Sequence, residues 1–157
     1  ENYKISDLRP LAGLTGLERL YLGKNQITDL KPLAGLPRLR MLFLRENQIK
    51  DLTPLAGMTQ LRELGLDRNP VIDLKPLAGL TELTELSLND TPITDLKPLA
   101  RMTRLEDLSI ASTQITDLTP LAGLTNLKKI YCFRARKITY DEVNKLKKAL
   151  PKCHILR

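Results

Sequence analysis

The sequence predicts an α/β solenoid: short coils stacked so that their strands form one parallel sheet on the concave side, with short helical turns on the convex side and a helical cap at the C-terminus. Three observations predict it. A segment of the form ITDLKPLAGLPRL begins at Ile27, and its counterparts begin at Ile5, Ile49, Val71, Ile93 and Ile115, always 22 residues apart. A fixed period between about 20 and 50 residues marks a solenoid. Each period carries an L-x-L pair, the alternation of a short strand with one buried side. Each also carries D-L-x-P-L-A-G-L, too short for a long helix.

The strands come first. Leu20/Leu22, Leu42/Leu44, Leu64/Leu66, Leu86/Leu88, Leu108/Ile110 and Ile130/Cys132 place one apolar pair per coil. Stacking sets neighbouring strands about 4.8 Å apart, and each leucine column becomes a continuous buried ridge that one coil alone could not bury. Opposite the sheet, Pro10, Pro32, Pro54, Pro76, Pro98 and Pro120 suit a first helical position, and Gly13, Gly35, Gly57, Gly79 and Gly123 suit a left-handed exit from a single 3₁₀ or α turn. Arg101 breaks the glycine column, so the exit there is expected to be strained or of another turn type.

Asn25, Asn47 and Asn69 follow their strands, where an amide can both donate to and accept from buried turn backbone. Thr91, Thr113 and Ala135 take that place in later coils and offer fewer bonds, which predicts a slight shift in stacking toward the C-terminus. Asn89-Asp90-Thr91 matches a glycosylation sequon but lies at a strand end inside the repeat, where it reads as chance. An extra residue before Ile138 ends the period. Val143, Leu146 and Leu150 then fall at helical spacing over Tyr140 to Leu150, with Thr139 or Asp141 as N-cap and Pro151 as stop. A closing strand, Cys153 to Leu156, is expected to pair with the last coil. The organisation expected is a single domain over residues 1–157, with repeats at 5–136 and a cap at 137–157.

Composition excludes several function classes. No apolar run approaches the roughly 20 residues of a membrane span. The formal charge of +7 is unevenly placed. Residues 1–126 hold 15 Lys+Arg against 16 Asp+Glu, a net of −1, and residues 127–157 hold 10 against 2, a net of +8. Basicity thus belongs to a lysine-rich terminal segment and gives no general argument for nucleic-acid binding. The chain starts at Glu1 without Met or a signal-peptide pattern, as expected of a processed protein or an excised piece. Residues 1–4 read as the tail of a preceding coil, leaving an open N-terminal edge through which two copies could pair.

The chemistry-bearing residues do not converge. If the closing strand stacks in sequence, Ile155 lies beside Cys132 and Cys153 beside Ile130, which puts the two cysteine Cα atoms roughly 8 Å apart, beyond disulfide reach. Two free buried thiols are expected, and a register shift would permit the bond. His154 is the only histidine, so no triad or metal cluster can form around it. Asp7, Asp29, Asp51, Asp73, Asp95 and Asp117 form a carboxylate column, read as local caps of the turns and not as a calcium ladder. No phosphate-binding glycine loop is present. No metal, cofactor or catalytic residue is expected.

What remains is the outward face of the sheet. Its central column reads Tyr21, Phe43, Gly65, Ser87, Ser109, Tyr131. The column before it reads Arg19, Met41, Glu63, Glu85, Asp107, Lys129, and the one after it Gly23, Arg45, Asp67, Asn89, Ala111, Phe133. Four of the chain's six aromatics fall on this face. Aromatics beside arginine and acidic residues match the composition of interface hot spots, although a pair such as Tyr21 and Phe43 also steadies a sheet. Arg19, Tyr21, Met41, Phe43, Arg45, Glu63, Asp67, Asp107, Lys129, Tyr131 and Phe133 are therefore the candidate partner-binding residues. They present a small, acidic centre between aromatic and basic ends.

The pattern L-x-x-L-x-L-x-x-N-x-I, with I-T-D-L-x-P-L-A-G-L-T-x-L between strands, resembles leucine-rich repeats, and more narrowly the bacterial internalin type. The resemblance covers residues 5–136, and the last segment resembles the C-terminal caps of bacterial leucine-rich-repeat proteins. It implies a right-handed solenoid without enzymatic activity or cofactor, binding a protein or peptide on the concave face. A secreted or surface-displayed bacterial module is implied first. The alternatives are an intracellular regulatory or scaffold subunit, as in the phosphatase-regulator class of repeat, and an idealised designed scaffold.

Overall fold

A computed structural model describes residues 4–157. Seven strands form one parallel sheet in chain order: β1 (Arg19–Tyr21), β2 (Met41–Phe43), β3 (Glu63–Gly65), β4 (Glu85–Ser87), β5 (Asp107–Ser109), β6 (Lys129–Tyr131) and β7 (His154–Leu156). From β1 to β6 every residue pairs with the one 22 positions on, as Leu20 with Leu42 and Leu108 with Ile130. The L-x-L leucines from Leu42 onward are buried, and with Ile27, Leu30, Leu33, Leu36 and Leu39 of each period they make one continuous core. In the first coil, Ile5 and Leu14 remain 40% and 47% exposed where their successors Ile27 and Leu36 are fully buried. The expected tail of a preceding coil falls on residues 1–4, of which 1–3 lie outside the described residues.

Each return passes through a single 3₁₀ turn, the six running Arg9–Leu11, Lys31–Leu33, Thr53–Leu55, Lys75–Leu77, Lys97–Leu99 and Thr119–Leu121. The proline is the second residue of each, one later than expected. The reason is the aspartate column: Asp51 Oδ1 accepts from the Thr53 N–H at 2.8 Å, and Asp7, Asp29, Asp73, Asp95 and Asp117 do the same two residues on. The first N–H is therefore engaged, and proline takes the next position, whose N–H has no partner within so short a turn. The carboxylates are local caps, as the sequence implies. A hydrogen bond from Arg9 holds Asp7 down to about 2, and the Thr53 and Thr119 hydroxyls lower Asp51 and Asp117.

The glycine column is a correction. No described glycine has a positive φ, so Gly13, Gly35, Gly57, Gly79 and Gly123 are not left-handed exits, and Arg101 in their column is under no such strain. The left-handed residues are Lys24, Glu46, Arg68, Asp90, Ser112 and Arg134, with φ between 53° and 58°. Each stands just after its strand, where the chain turns out of the sheet. Lys24, Glu46, Arg68, Asp90 and Ser112 each donate their N–H to the carbonyl of the next coil at 2.8–2.9 Å. Coil-to-coil bonding thus holds a conformation that an L-residue adopts only at a cost of roughly 1–2 kcal/mol.

The asparagines support that bend from beneath. Asn69 Nδ2 donates to Leu44 O at 2.9 Å in the preceding coil and to Leu66 O at 3.1 Å in its own, while its Oδ1 accepts from Ile49 N–H at 3.0 Å. Asn47 repeats the set one coil earlier. Thr91 and Thr113 donate only to Leu88 O and Ile110 O in their own coils. Strand pairing continues in the same register past both threonines.

The cap matches its expected elements in kind. Helix α1 (Tyr140–Ala149) starts at the N-cap Thr139, whose hydroxyl accepts from Glu142 N–H, and ends before Pro151. Val143 and Leu146 bury against the last coil, and the Glu142 carboxylate accepts from Leu118 N–H. Arg157 donates to Ile138 O and lies 4.4 Å from the Tyr140 ring centroid, tying the chain end to the helix start. The register differs from expectation. Ile130 pairs with Ile155, an offset of 25 and not 23. The helix takes up more chain than an ordinary return, so the closing strand arrives two residues later. Cys132 and Cys153 consequently lie four positions apart along adjacent strands, roughly 14 Å between Cα atoms. Both are free and buried, and burial raises both thiols, Cys153 to about 11.

Two substitutions test these assignments. Asn69→Ala unpairs buried backbone groups in two coils and is expected to lower unfolding stability by about 3 kcal/mol in a denaturant titration. Gly57→Ala meets nothing within 4 Å of the added Cβ and needs no left-handed backbone. It is expected to raise stability by about 0.5 kcal/mol by restricting the unfolded chain; a loss would restore the left-handed reading.

Candidate interaction face on the parallel sheet

Alternation within each strand sends the buried leucines one way and the three candidate columns the other. Tyr21 and Phe43 stand side by side in register, and their rings stack at 5.1 Å between centroids with 9° between planes. Tyr21 is 65% exposed. Phe43 is half-buried because it leans over Gly65: a Cβ at that glycine would lie 2.8 Å from Phe43 Cδ1. Gly65 is thus small for a stated reason, since it lets the stack lie flat on the third strand. Met41 is half-buried beside the stack, and Arg19 is exposed.

At the other end, Tyr131 and Phe133 are 6.4 Å apart and tilted by 39°. The sheet continues one strand further than the three columns allowed. His154 pairs with Lys129 and Leu156 with Tyr131, so His154 and the partly exposed Leu156 join this face. The expected closing strand already turned His154 and Leu156 outward by alternation with Cys153 and Ile155, and the offset of 25 in place of 23 keeps that parity while moving them two positions along the face.

Between the aromatic ends lies a hollow of about 190 Å³, walled by Phe43 and Tyr131, with Ser87 and Ser109 in its floor and Glu85 and Asp107 along one side. Glu85, Ser87 and Ser109 were in the outward columns but not among the candidate binding residues. The columns had already made Ser87 and Ser109, beside Glu85, part of the small, acidic centre that a partner would meet. Glu63, Glu85 and Asp107 pair in register on adjacent strands. Among the described residues none of the three makes an ion pair. Partial burial, then the Glu63 and Asp107 charges, raise the Glu85 carboxyl above its ordinary value. Asp107 Oδ1 is buried without a hydrogen-bond donor.

Other candidates are held within the protein. Asp67 Oδ1 accepts from Ser87 Oγ at 2.5 Å and from Asn89 N–H at 2.9 Å. Asn89 in turn donates to Ser87 and accepts from Ala111 N–H, a side-chain ladder that extends the sheet past its strand ends and engages the sequon amide. Arg45 pairs with Glu46, and Arg68 bridges Glu46 and Asp90 at the rim. Lys129 and Phe133 are exposed.

Comparison with known proteins agrees with this architecture. The family model described as leucine-rich repeats in two copies matches four overlapping stretches, residues 15–57, 37–79, 59–101 and 81–122. The fold is similar to that of an internalin, InlF, of Listeria monocytogenes, 35% identical over 98% of this chain and 44% of that one, with a TM-score of 0.91. It is also similar to internalin C2 of Listeria monocytogenes, 39% identical over 83% of this chain and 58% of that one, at a TM-score of 0.77. A leucine-rich-repeat protein of Leptospira interrogans is 28% identical over 98% of this chain and 40% of its own length, at a TM-score of 0.85. The chain therefore spans only 40–58% of the length of these structures. No curated protein matches the sequence.

Proposed function

The chain belongs to the leucine-rich-repeat family, internalin-like in its repeats, and on that premise we propose that it is a non-catalytic module that binds a protein or peptide partner on the concave sheet face. The whole of residues 1–157 serves as one domain in this reading. Its main support is the Tyr21–Phe43 stack: two parallel rings, one 65% exposed, held flat by Gly65. Rigid aromatic surface gives large contact area at little entropy cost, which is what interface hot spots use. Arg19, Met41 and Glu63 adjoin this end, while Lys129, Tyr131 and Phe133 form the other. Asp107 lies between them, and Arg45 and Asp67 serve as rim and support. No helix among the described residues is long and apolar enough to cross a membrane.

The test is capture from an extract of the native source on immobilised protein, comparing Tyr21→Ala and Tyr131→Ala with the convex-side control Lys75→Ala. Loss of a specifically bound protein in both tyrosine variants, with retention in the control and thermal midpoints within about 2 °C, is expected. Equal capture by all four proteins would sink the siting.

A further inference from the structure

The hollow between Phe43 and Tyr131 says more about the partner than the aromatic stack does. Its volume, about 190 Å³, suits one long side chain and not a strand or helix. Its walls are two aromatic rings, its floor two serines over buried Leu64 and Leu86, and its open flank two carboxylates. Ser87 is engaged by Asp67 and Asn89, whereas Ser109 makes no side-chain hydrogen bond among the described residues.

The charge in the hollow is unbalanced. Glu63, Glu85 and Asp107 follow one another on strands about 4.8 Å apart, like charges side by side, which disfavours the sheet they sit on. Lys129 is in register with Asp107 and offsets part of the acidity felt at Glu85, but it forms no ion pair with Asp107, and Glu63, Asp107 and Glu106 act the other way. Asp107 Oδ1 is buried without a hydrogen-bond donor. The Asp107 charge is also the second cause, after burial, of the raised Cys153 thiol. The groups that could answer a cation are thus Glu85 and Asp107 from one flank and Ser109 Oγ from the floor.

We infer that this hollow is the receptor for a lysine side chain of the protein partner, its methylenes over Ser87 and Ser109 and its ammonium against Glu85 and Asp107. Lysine fits better than arginine because the acceptors approach from separate directions, suiting three rotatable donors on a compact charge and not a planar fork. The inference rests on the sheet-face binding reading, but it predicts something a small probe can answer without the partner.

The probe is Nα-acetyl-lysine methylamide, titrated into the ¹⁵N-labelled protein while amide shifts are followed, beside the neutral norleucine analogue, the arginine analogue and calcium chloride. Saturable shifts at Ser87, Asp107 and Ser109, with a dissociation constant of roughly 1 mM, are expected for lysine. Asp107→Asn and Glu85→Gln, which keep side-chain volume, are each expected to weaken it about tenfold. Four results would overturn the inference: no saturable lysine response, an equal response to norleucine, tighter binding of arginine, or saturation by calcium at the same amides. If lysine fails while capture still depends on Tyr21 and Tyr131, this pocket is wrong and the face is right. If lysine binds while capture is indifferent to the tyrosines, the pocket stands and the aromatic siting falls.

Discussion

Everything in this protein depends on each coil being unable to bury its own leucines. A three-residue strand has too few contacts to persist alone, and a single 3₁₀ turn has no core of its own. Stacked at a constant 22-residue offset, the same residues line up as fully buried columns, and each leucine contributes roughly 1.5–3 kcal/mol. The backbone bonds that join coils then do two things at once. They pair the strands, and they hold Lys24, Glu46, Arg68, Asp90 and Ser112 in a left-handed bend that none of those residues favours. Exposed ion pairs between coils, such as Arg104 with Glu82 and Arg68 with Glu46, follow the same spacing but add little.

This division of labour frees the outward face. Its side chains are not needed for the core, so a column can change from aromatic to glycine to serine without disturbing the strands beneath. Gly65 shows the limit of that freedom, because the Phe43 ring occupies the space its Cβ would need. The acidic column shows the opposite tendency. Three carboxylates remain side by side without ion pairs, one with a donorless oxygen, an arrangement that costs stability in the free protein and is offset when a cation arrives.

The C-terminal cap solves a different problem. The last leucine ridge needs a cover that does not itself require another coil. Helix α1 provides it by burying Val143 and Leu146 against the final turn and presenting its lysines to water. The sheet then gains one more strand at a changed offset, which separates the two cysteines and extends the outward face by His154 and Leu156.

Much of this was legible in the residues alone. The repeat length, the buried leucine columns, the aspartate caps, the asparagine bonds and a start of α1 at either Thr139 or Asp141 all follow from local spacing and hydrogen-bonding capacity, which a linear chain displays. Three matters were not. The left-handed positions are carried by Lys, Glu, Arg, Asp and Ser, residues that give no sign of it, because the conformation is imposed by the next coil; the glycines that seemed to invite it lie in ordinary backbone. The register of β7 depends on how much chain a packed helix takes up, which helical periodicity does not specify. The small, acidic centre between the aromatic ends was legible in the columns, but that the Phe43 ring lies across Gly65 and walls it was not. Columns of letters determined which residues share that face; only the stacked structure decided where its side chains lean and which charges they leave without a partner.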